Sequence, residues 1–130
     1  MATEILVNDG GAPARILPFI ANHAVSGGHV VKVHTDGKIQ KVADNGINGI
    51  GVAFTDAAAD APASVITGHG VIVNAYVSGT AAAGAVVQPV EVGILGTGAT
   101  ADAQVAVMME SSGLTTGDGN VALKKVMLRF

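Results

Sequence analysis

The residues of this chain that could do chemistry most directly are a histidine and an aspartate two positions apart. In His34-Thr35-Asp36, this spacing would place both side chains on one face of a strand, where they could bind a metal ion. Asp36 is followed by Gly37, however, and Asp-Gly between two runs of β-branched residues is a strong hairpin signal. We therefore expect Asp36 to shape a turn, and we expect no bound metal.

Other catalytic patterns are weak. The serines lie in or beside turn-like segments, and none stands in the strand-turn-helix pattern that exposes a nucleophile. The glycine clusters at residues 46–51 and 93–98 have the wrong order for a dinucleotide fingerprint, and there is no phosphate-loop lysine. Residues 116–120 lack the acidic ligands of a calcium loop. The sequence therefore predicts no catalytic residue, no cofactor and no small-molecule substrate, so we expect the protein not to be an enzyme.

The distribution of charge argues against nucleic-acid binding. The formal net charge is −3, and no Lys or Arg lies between Lys41 and Lys124. Recognition of nucleic acid needs a basic stripe or aromatic side chains for stacking, and this chain has one Tyr and no Trp. Lys32, Lys38 and Lys41 form a small basic group on one hairpin. We interpret that group as a solvated face or a patch for an acidic protein partner.

Length and composition indicate one domain of 130 residues. A mean hydropathy of +0.51 with 13% charged residues excludes a disordered chain. No run of about 20 apolar residues is present, so we expect no membrane span. The first residues lack the basic start and apolar segment of a signal peptide, and the absence of cysteine fits synthesis in a cytoplasm.

The hydrophobic pattern predicts an all-β fold, a sandwich or small β-barrel with Gly-rich turns. The clearest alternation runs from Val71 to Val77, and β-prone runs recur at intervals of about ten residues. Pro18 cannot donate a hydrogen bond to a ladder, so its run is expected at a sheet edge or in an extended arm. Residues 55–63 are the one helix candidate, a single turn ended by Pro62. We find no exact internal repeat.

The small size of the apolar side chains favours self-association. The chain has 18 Gly but only three Phe, so each residue buries little area against the entropy cost of ordering it. Burial against neighbouring copies would add stability. We expect a trimer whose interface is built from small residues, and the candidate strands are Val71–Val77 and Val86–Ile94. In the first of these, the candidate residues are Val71, Val73, Ala75 and Val77.

Residues 1–22 are expected to form an N-terminal arm or edge segment, and residues 23–130 the β core. The run Thr3-Glu4-Ile5-Leu6-Val7 is β-prone and is separated from the rest by the turn-rich residues 8–11. Such a strand suits pairing with a free sheet edge of another protein. The alternative is that Ile5 and Val7 pair within the same barrel.

Several segments together resemble the capsid decoration (cement) proteins of tailed bacteriophages. The matching pattern is Ser-Gly-x-x-Val-Val, a hairpin, Gly-x-Gly-Val-Ala, a Thr-Asp-Ala-Ala loop and a strand centred on Gly-Val. The resemblance covers roughly residues 25–130. It departs from the pattern where Asp60-Ala61-Pro62 is poor in glycine and where residues 93–103 suggest an insertion. The segments that carry it are Val25–Val31, Gly49–Ala53, Thr55–Ala59 and Gly70–Val73, with weaker matches at Ala83–Val87 and Val126–Phe130.

This resemblance implies a barrel-like or β-tulip-like structural protein of the virion. Made in the host cytoplasm, it would bind the outside of an icosahedral head as homotrimers and hold neighbouring major capsid protein subunits together. An alternative from the residues themselves is a small glycan- or surface-binding module that uses Tyr76, Asn74 and His69. The residues expected to contact the capsid lie in the arm: Thr3, Glu4, Ile5, Leu6, Val7 and Arg15.

Overall fold

The computed structural model of the protein describes residues 5–8, 15–43, 46–98, 104–114 and 121–130, and these ranges form β-strands without a helix. The expected all-β class is therefore confirmed. The expected helical turn at residues 55–63 is wrong, because bends and a turn with Asp60 at a φ of 65° lead directly into a strand. The strands are β1 (Leu6–Asn8), β2 (Arg15–Ile20), β3 (Val30–Val33), β4 (Ile39–Lys41), β5 (Gly51–Ala53), β6 (Pro62–Thr67), β7 (Ile72–Ser78), β8 (Val86–Glu91), β9 (Ile94–Thr97), β10 (Ala106–Met108) and β11 (Val121–Leu128).

The last five strands form a closed barrel, the C-terminal barrel. Their order is β7-β11-β10-β8-β9, with antiparallel neighbours, and β9 returns to β7 through a parallel pairing of Leu95 with Val77. Strand β1 pairs with β7 on the edge opposite β11, at Val73 and Ile72. Alternation along the strands sends small apolar side chains inward. The buried interior includes Val71, Val73, Ala75, Val77, Val87, Leu95, Ala106, Met108, Val126 and Leu128.

Strands β2 to β6 form a second five-stranded sheet, the N-terminal sheet, in the order β2-β6-β5-β3-β4. Its two outer strands meet where Ala21, directly after β2, makes a parallel bridge to Ile39 of β4. Two expectations are confirmed: the β3–β4 hairpin turns at Asp36 and Gly37, and Pro18 lies on an edge strand. The sheet has its own core, formed by Ala21, Val25, Val31, Ile39, Ala53, Ala57, Ala63 and Val65.

The N-terminal sheet and the C-terminal barrel repeat one topology. Numbered in chain order within each unit, the strands follow the order first-fifth-fourth-second-third, and the first and third meet in parallel. The parallel contact joins Ala21 to Ile39 in one unit and Val77 to Leu95 in the other. Both partners are shifted by 56 residues (77 − 21 and 95 − 39). The chain is therefore built from two units with the same strand order.

Strand registers repeat as well. The β3–β4 pair of Val31 with Lys41 corresponds to the β8–β9 pair of Val87 with Thr97, again shifted by 56 (87 − 31 and 97 − 41). Differences in loop length change the shift between equivalent residues to 55 in the fourth strand, where Val107 corresponds to Val52 (107 − 52). In the fifth strand the shift is 61, because Met127 corresponds to Ile66 (127 − 66). Few residues are identical at equivalent positions, which is why no exact repeat is visible in the sequence. Conserved pairs include Ile16/Ile72, Gly28/Gly84, Val30/Val86, Val31/Val87, Gly37/Gly93, Val52/Val107 and Val65/Val126.

The two units contact each other through the segment before β3. The Tyr76 N–H on β7 donates a hydrogen bond to the Gly28 carbonyl (3.0 Å), and the Val30 N–H donates to the Gly93 carbonyl (2.9 Å). Gly93 lies in the turn between β8 and β9 and donates its own N–H to the Val42 carbonyl (2.8 Å). The segment thus lies between β7 and the β8–β9 turn. The outer face of the N-terminal sheet joins the barrel's core through Val30, Val42, Val52 and Ile66, with Phe54 packed beside them.

Replacing Gly28 with alanine should destabilise the protein by about 2–4 kcal/mol. Gly28 has a φ of +103°, and an added Cβ would lie 2.5 Å from Leu123 Cδ2 and 3.3 Å from Tyr76 Cδ2. Gly79→Ala is the matched control, because its φ is +73° and nothing lies within 4 Å of its Cβ position. We expect the control to cost about 1 kcal/mol for backbone strain alone. Urea unfolding measures both, and equal losses would show that the contact between the units adds nothing.

Candidate functional site

A group of polar side chains surrounds the turn of the β3–β4 hairpin. Asp36 accepts hydrogen bonds from the Asn22 side chain (Nδ2 to Oδ2, 2.8 Å) and from the Lys38 backbone N–H (2.9 Å). His34 Nδ1 lies 3.2 Å from Asp36 Oδ1, and Lys38 Nζ lies 2.8 Å from Asp60 Oδ1. Asp36 therefore stabilises the hairpin turn through these hydrogen bonds, as the sequence predicted.

The charged side chains of this group are exposed to solvent, and each has a hydrogen-bond or ion-pair partner within the turn region. The hydrogen bond from the Lys38 backbone is the main reason that the pKa of Asp36 is lowered, with smaller contributions from His34 and Asn22. The contact with Asp60 raises the pKa of Lys38. Within the described ranges, no three His, Cys, Asp or Glu side chains converge as metal ligands. The arrangement stabilises the hairpin.

A shallow cleft of about 480 Å³ lies beside this turn. One wall is apolar and is formed by β2 residues Pro18, Phe19 and Ile20, and the other is the hairpin turn with Asp36 and Lys38. Its volume is within the range of ligand pockets. The charged groups at its rim are already partnered, so the cleft presents chiefly the side chains and backbone of β2.

Among the described residues, no strand pairs with the outer edge of β2, and β2 exposes large apolar side chains there. The relative exposures of Ile16, Leu17 and Ile20 are 47%, 37% and 40%. The Ser64 carbonyl accepts a hydrogen bond from the N–H of Phe54, the residue directly after β5, so the backbone groups of Ser64 point away from β2. Pro18 is the partner of Ser64, which means that Ile16, Pro18 and Ile20 direct their backbone groups toward the open edge. Pro18 brings a carbonyl but no N–H to that edge.

The structure favours the second of the two alternatives for the N-terminal segment. Strand β1, which contains Leu6 and Val7, pairs with β7, and Ile5 is 5% exposed. Ile5 packs beside Gly27, and its carbonyl accepts a hydrogen bond from the Asn74 N–H (2.7 Å). Strand β2 is likewise an integral part of the N-terminal sheet, so the boundary at residue 22 does not separate an arm from a core. Thr3 and Glu4 lie outside the described residues, and Arg15 is exposed at the start of β2.

The four residues expected to form an interface between copies lie inside the C-terminal barrel instead. Val71, Val73, Ala75 and Val77 are all at most 1% exposed. A side chain that fills a barrel interior cannot contact a second copy unless the barrel opens. This expectation is therefore wrong in its choice of face, because alternation separates two faces without showing which of them is covered.

The polar-aromatic patch considered for glycan binding is not an open platform. The Tyr76 ring is half-buried and packs on His29, with ring centroids 4.7 Å apart and an angle of 33°. His69 is exposed in the turn between β6 and β7. Asn74 follows Val73 on β7, two residues before Tyr76. A sugar-binding aromatic face needs to be free, and here the histidine covers part of it.

No protein-family model matches the chain, and no curated protein matches it either. Among the residues that the structure describes, no helix is long and apolar enough to cross a membrane.

Sequence reasoning missed both the contact between the units and the cleft beside β2. Of the residues expected as an insertion, 93–103, the described part begins with the Gly93 turn and continues into β9, and residues 99–103 lie outside the described residues. A comparison of the chain with itself at a shift of 56 residues would have aligned Gly28 with Gly84 and Gly37 with Gly93. All four glycines have positive φ, and this shared backbone requirement is the signal that could have revealed the repeat.

His29 should make folding stability depend on pH. Burial, helped by Lys41 and opposed by Asp56, lowers the pKa of His29 from 6.5 to about 4, and its Nδ1 accepts a hydrogen bond from the Ser26 N–H (3.1 Å). Between pH 6.5 and about 4, the unfolded chain therefore binds a proton that the folded chain does not. The free energy of unfolding should fall by about 1–2 kcal/mol as pH drops through this window, an amount reduced because the ring is only half-buried.

Urea unfolding at pH 7 and pH 4.5 measures this dependence. His29→Gln should remove most of it, because glutamine keeps a hydrogen-bond acceptor but does not titrate. His23→Gln is the matched control, since His23 is exposed. If the control flattens the pH dependence as much as His29→Gln does, His29 is not the group responsible.

Proposed function

We propose that this protein is a structural component of a phage virion that binds the outer surface of the icosahedral head as a decoration protein. The observation that carries the proposal is the surface of β2, where Ile16 and Leu17 are exposed on a strand whose outer edge is unpaired among the described residues. Exposed apolar residues that are contiguous along an edge mark contacts with other proteins. The proposal also takes support from the capsid-decoration pattern in the sequence.

The segments that carry that pattern have defined places in the fold. Ser26–Val31 forms the contact between the two units, and Gly49–Ala53 includes β5. Gly51 packs so closely against β6 that an added Cβ would lie within 3 Å of Val65 Cγ1 and closer still to the Ile66 backbone. Gly51 therefore serves the close packing of β5 against β6, whereas Gly70 has nothing within 4 Å of its Cβ position and is needed for its positive φ.

The mechanism is selective binding. A cement protein that contacts neighbouring subunits of the major capsid protein binds the closed shell and not separated subunits. Binding then stabilises the closed state by mass action, without any chemical step. The partners in this proposal are the major capsid protein and further copies of this chain, and the location is the outside of the head.

Decoration can be tested on purified heads that lack this protein. Heads of the phage that encodes it should bind the protein and survive heating or chelator treatment better than undecorated heads. Failure to bind, with no gain in survival, would remove the proposal. Retention of the protein on a glycan array but not on heads would favour the alternative of a glycan-binding module.

Reversing the charge of Arg15 should weaken decoration about tenfold. Arg15 is exposed at the start of β2 and is one of the residues expected to contact the capsid. Arg129→Glu is the matched control: it makes the same change of charge at another exposed arginine, beyond the end of β11 on the C-terminal barrel. Copies bound per head, measured by sedimentation of decorated heads, should fall for Arg15→Glu and not for the control. Equal losses would indicate only a general effect of net charge.

A further inference from the structure

Because the two units share one topology, each residue at the contact between them has an equivalent on the opposite unit. The N-terminal sheet contributes the outer side chains of Val30, Val52, Phe54 and Ile66, together with Gly28. Their equivalents by strand register and hydrogen bonding lie on the outer face of the C-terminal barrel. They are Val86, Val107, Met109, Met127 and Gly84.

This outer face of the barrel, which we call the donor face (Gly84, Val86, Val107, Met109 and Met127), is only partly covered by the residues that the structure describes. Val30, Val52 and Ile66 are fully buried at the contact between the units, whereas each residue of the donor face is half-buried or exposed. Met109 is 43% exposed, and Gly84 is exposed with nothing near its Cβ position. The barrel therefore presents, only partly covered, the same apolar surface that the N-terminal sheet buries.

The complementary surface is uncovered on the other unit. The barrel contacts the N-terminal sheet at Asn74, Tyr76 and Leu123. Gly28 packs there against the side chains of Tyr76 and Leu123. By register, these residues correspond to the acceptor face of the N-terminal sheet, which consists of Pro18, Ile20 and Pro62. All three are exposed, and Pro18 and Ile20 line the 480 Å³ cleft.

We propose that the chain assembles head to tail, with the donor face of one copy docked on the acceptor face of the next. The occupant of the cleft is a second copy of this chain, and the contact reproduces between copies the one that joins the two units within each copy. The Ile20 N–H, which points to the open edge of β2, takes the part of the Tyr76 N–H, and the Gly84 carbonyl takes the part of the Gly28 carbonyl. The contact goes beyond decoration of a shell and does not depend on it.

Local chemistry agrees with this partner. The five residues of the donor face carry no charge, and Lys125 and Arg129 flank Met127 on the same outward side of β11. The charged residues at the rim of the cleft already have partners: Lys38 contacts Asp60, and Asp36 accepts a hydrogen bond from Asn22. Pro18 opposes the simplest other pairing, β2 with β2 about a twofold axis. In that arrangement two prolines face each other, and both central N–H donors are missing.

A head-to-tail contact uses two different surfaces, so it forms a closed ring or continues as a filament. A ring of identical copies contains twice as many five-stranded units as chains. The homotrimer expected from the sequence would then be a ring of six five-stranded units. Around this ring, contacts between two units of the same chain would alternate with contacts between units of neighbouring chains.

The experiment uses the whole protein in solution without heads, so its outcome is separate from that of decoration. Light scattering and sedimentation at concentrations up to about 100 µM should show a closed oligomer for the unchanged chain. Ile20→Lys blocks only the acceptor face and Met109→Lys only the donor face. Each should weaken self-association at least about tenfold. Both positions are already exposed, and circular dichroism checks that each variant folds.

Mixing the two blocked variants gives the decisive result. One intact donor face and one intact acceptor face remain in the mixture, so a heterodimer should form although each variant alone is a monomer. Ile47→Lys is the matched control, since Ile47 is 64% exposed and lies on neither face. A monomeric unchanged protein, a mixture without heterodimer, or an equal loss in the control would each overturn the proposal.

Discussion

The close approach of two backbones at Gly28 is the contact on which the remaining structure depends. With no side chain at this position, the carbonyl of Gly28 can accept the Tyr76 N–H while Leu123 packs directly above. The contact fixes the N-terminal sheet against β7, and it thereby buries Val30 and Ile66. The contact also determines which surfaces stay exposed. Each unit has a surface equivalent to the one that the other unit uses here, and within one chain these two equivalent surfaces, the donor face and the acceptor face, do not meet.

The burial achieved by one chain changes the physical argument for self-association. Its accessible surface is 6291 Å², and a folded monomer of 12.8 kDa is expected to expose about 6,300 Å². A single copy therefore buries as much surface as is expected for a folded monomer of its mass, although its apolar side chains are small. In the assembly that we propose, the reason to associate therefore lies in particular exposed surfaces and not in a general deficit of buried area. The Val71–Val77 face lies in the barrel interior and is not such a surface.

Local signals predicted much of the fold, and their limits have a physical cause. The Asp36-Gly37 hairpin and the edge position of Pro18 follow from turn chemistry and from a missing N–H, which act within a few residues. The alternation from Val71 to Val77 correctly separated two faces, but whether a face is covered by a barrel or by another copy depends on distant strands. The docking of β1 on β7 and the cleft beside Ile20 depend in the same way on which edges the topology leaves free.

Because the two units repeat one strand order, each residue of one unit can be compared with its equivalent in the other. Equivalent residues have the same backbone geometry, so a difference in their exposure reports the partner and not the fold. Gly28 is buried and Gly84 is exposed although both have positive φ and both donate to the fourth strand of their unit. Ile20 and Tyr76 differ in the same way, since only the tyrosine N–H receives a partner from the other unit. A surface that is covered once within the chain therefore shows what its uncovered equivalent is shaped to bind.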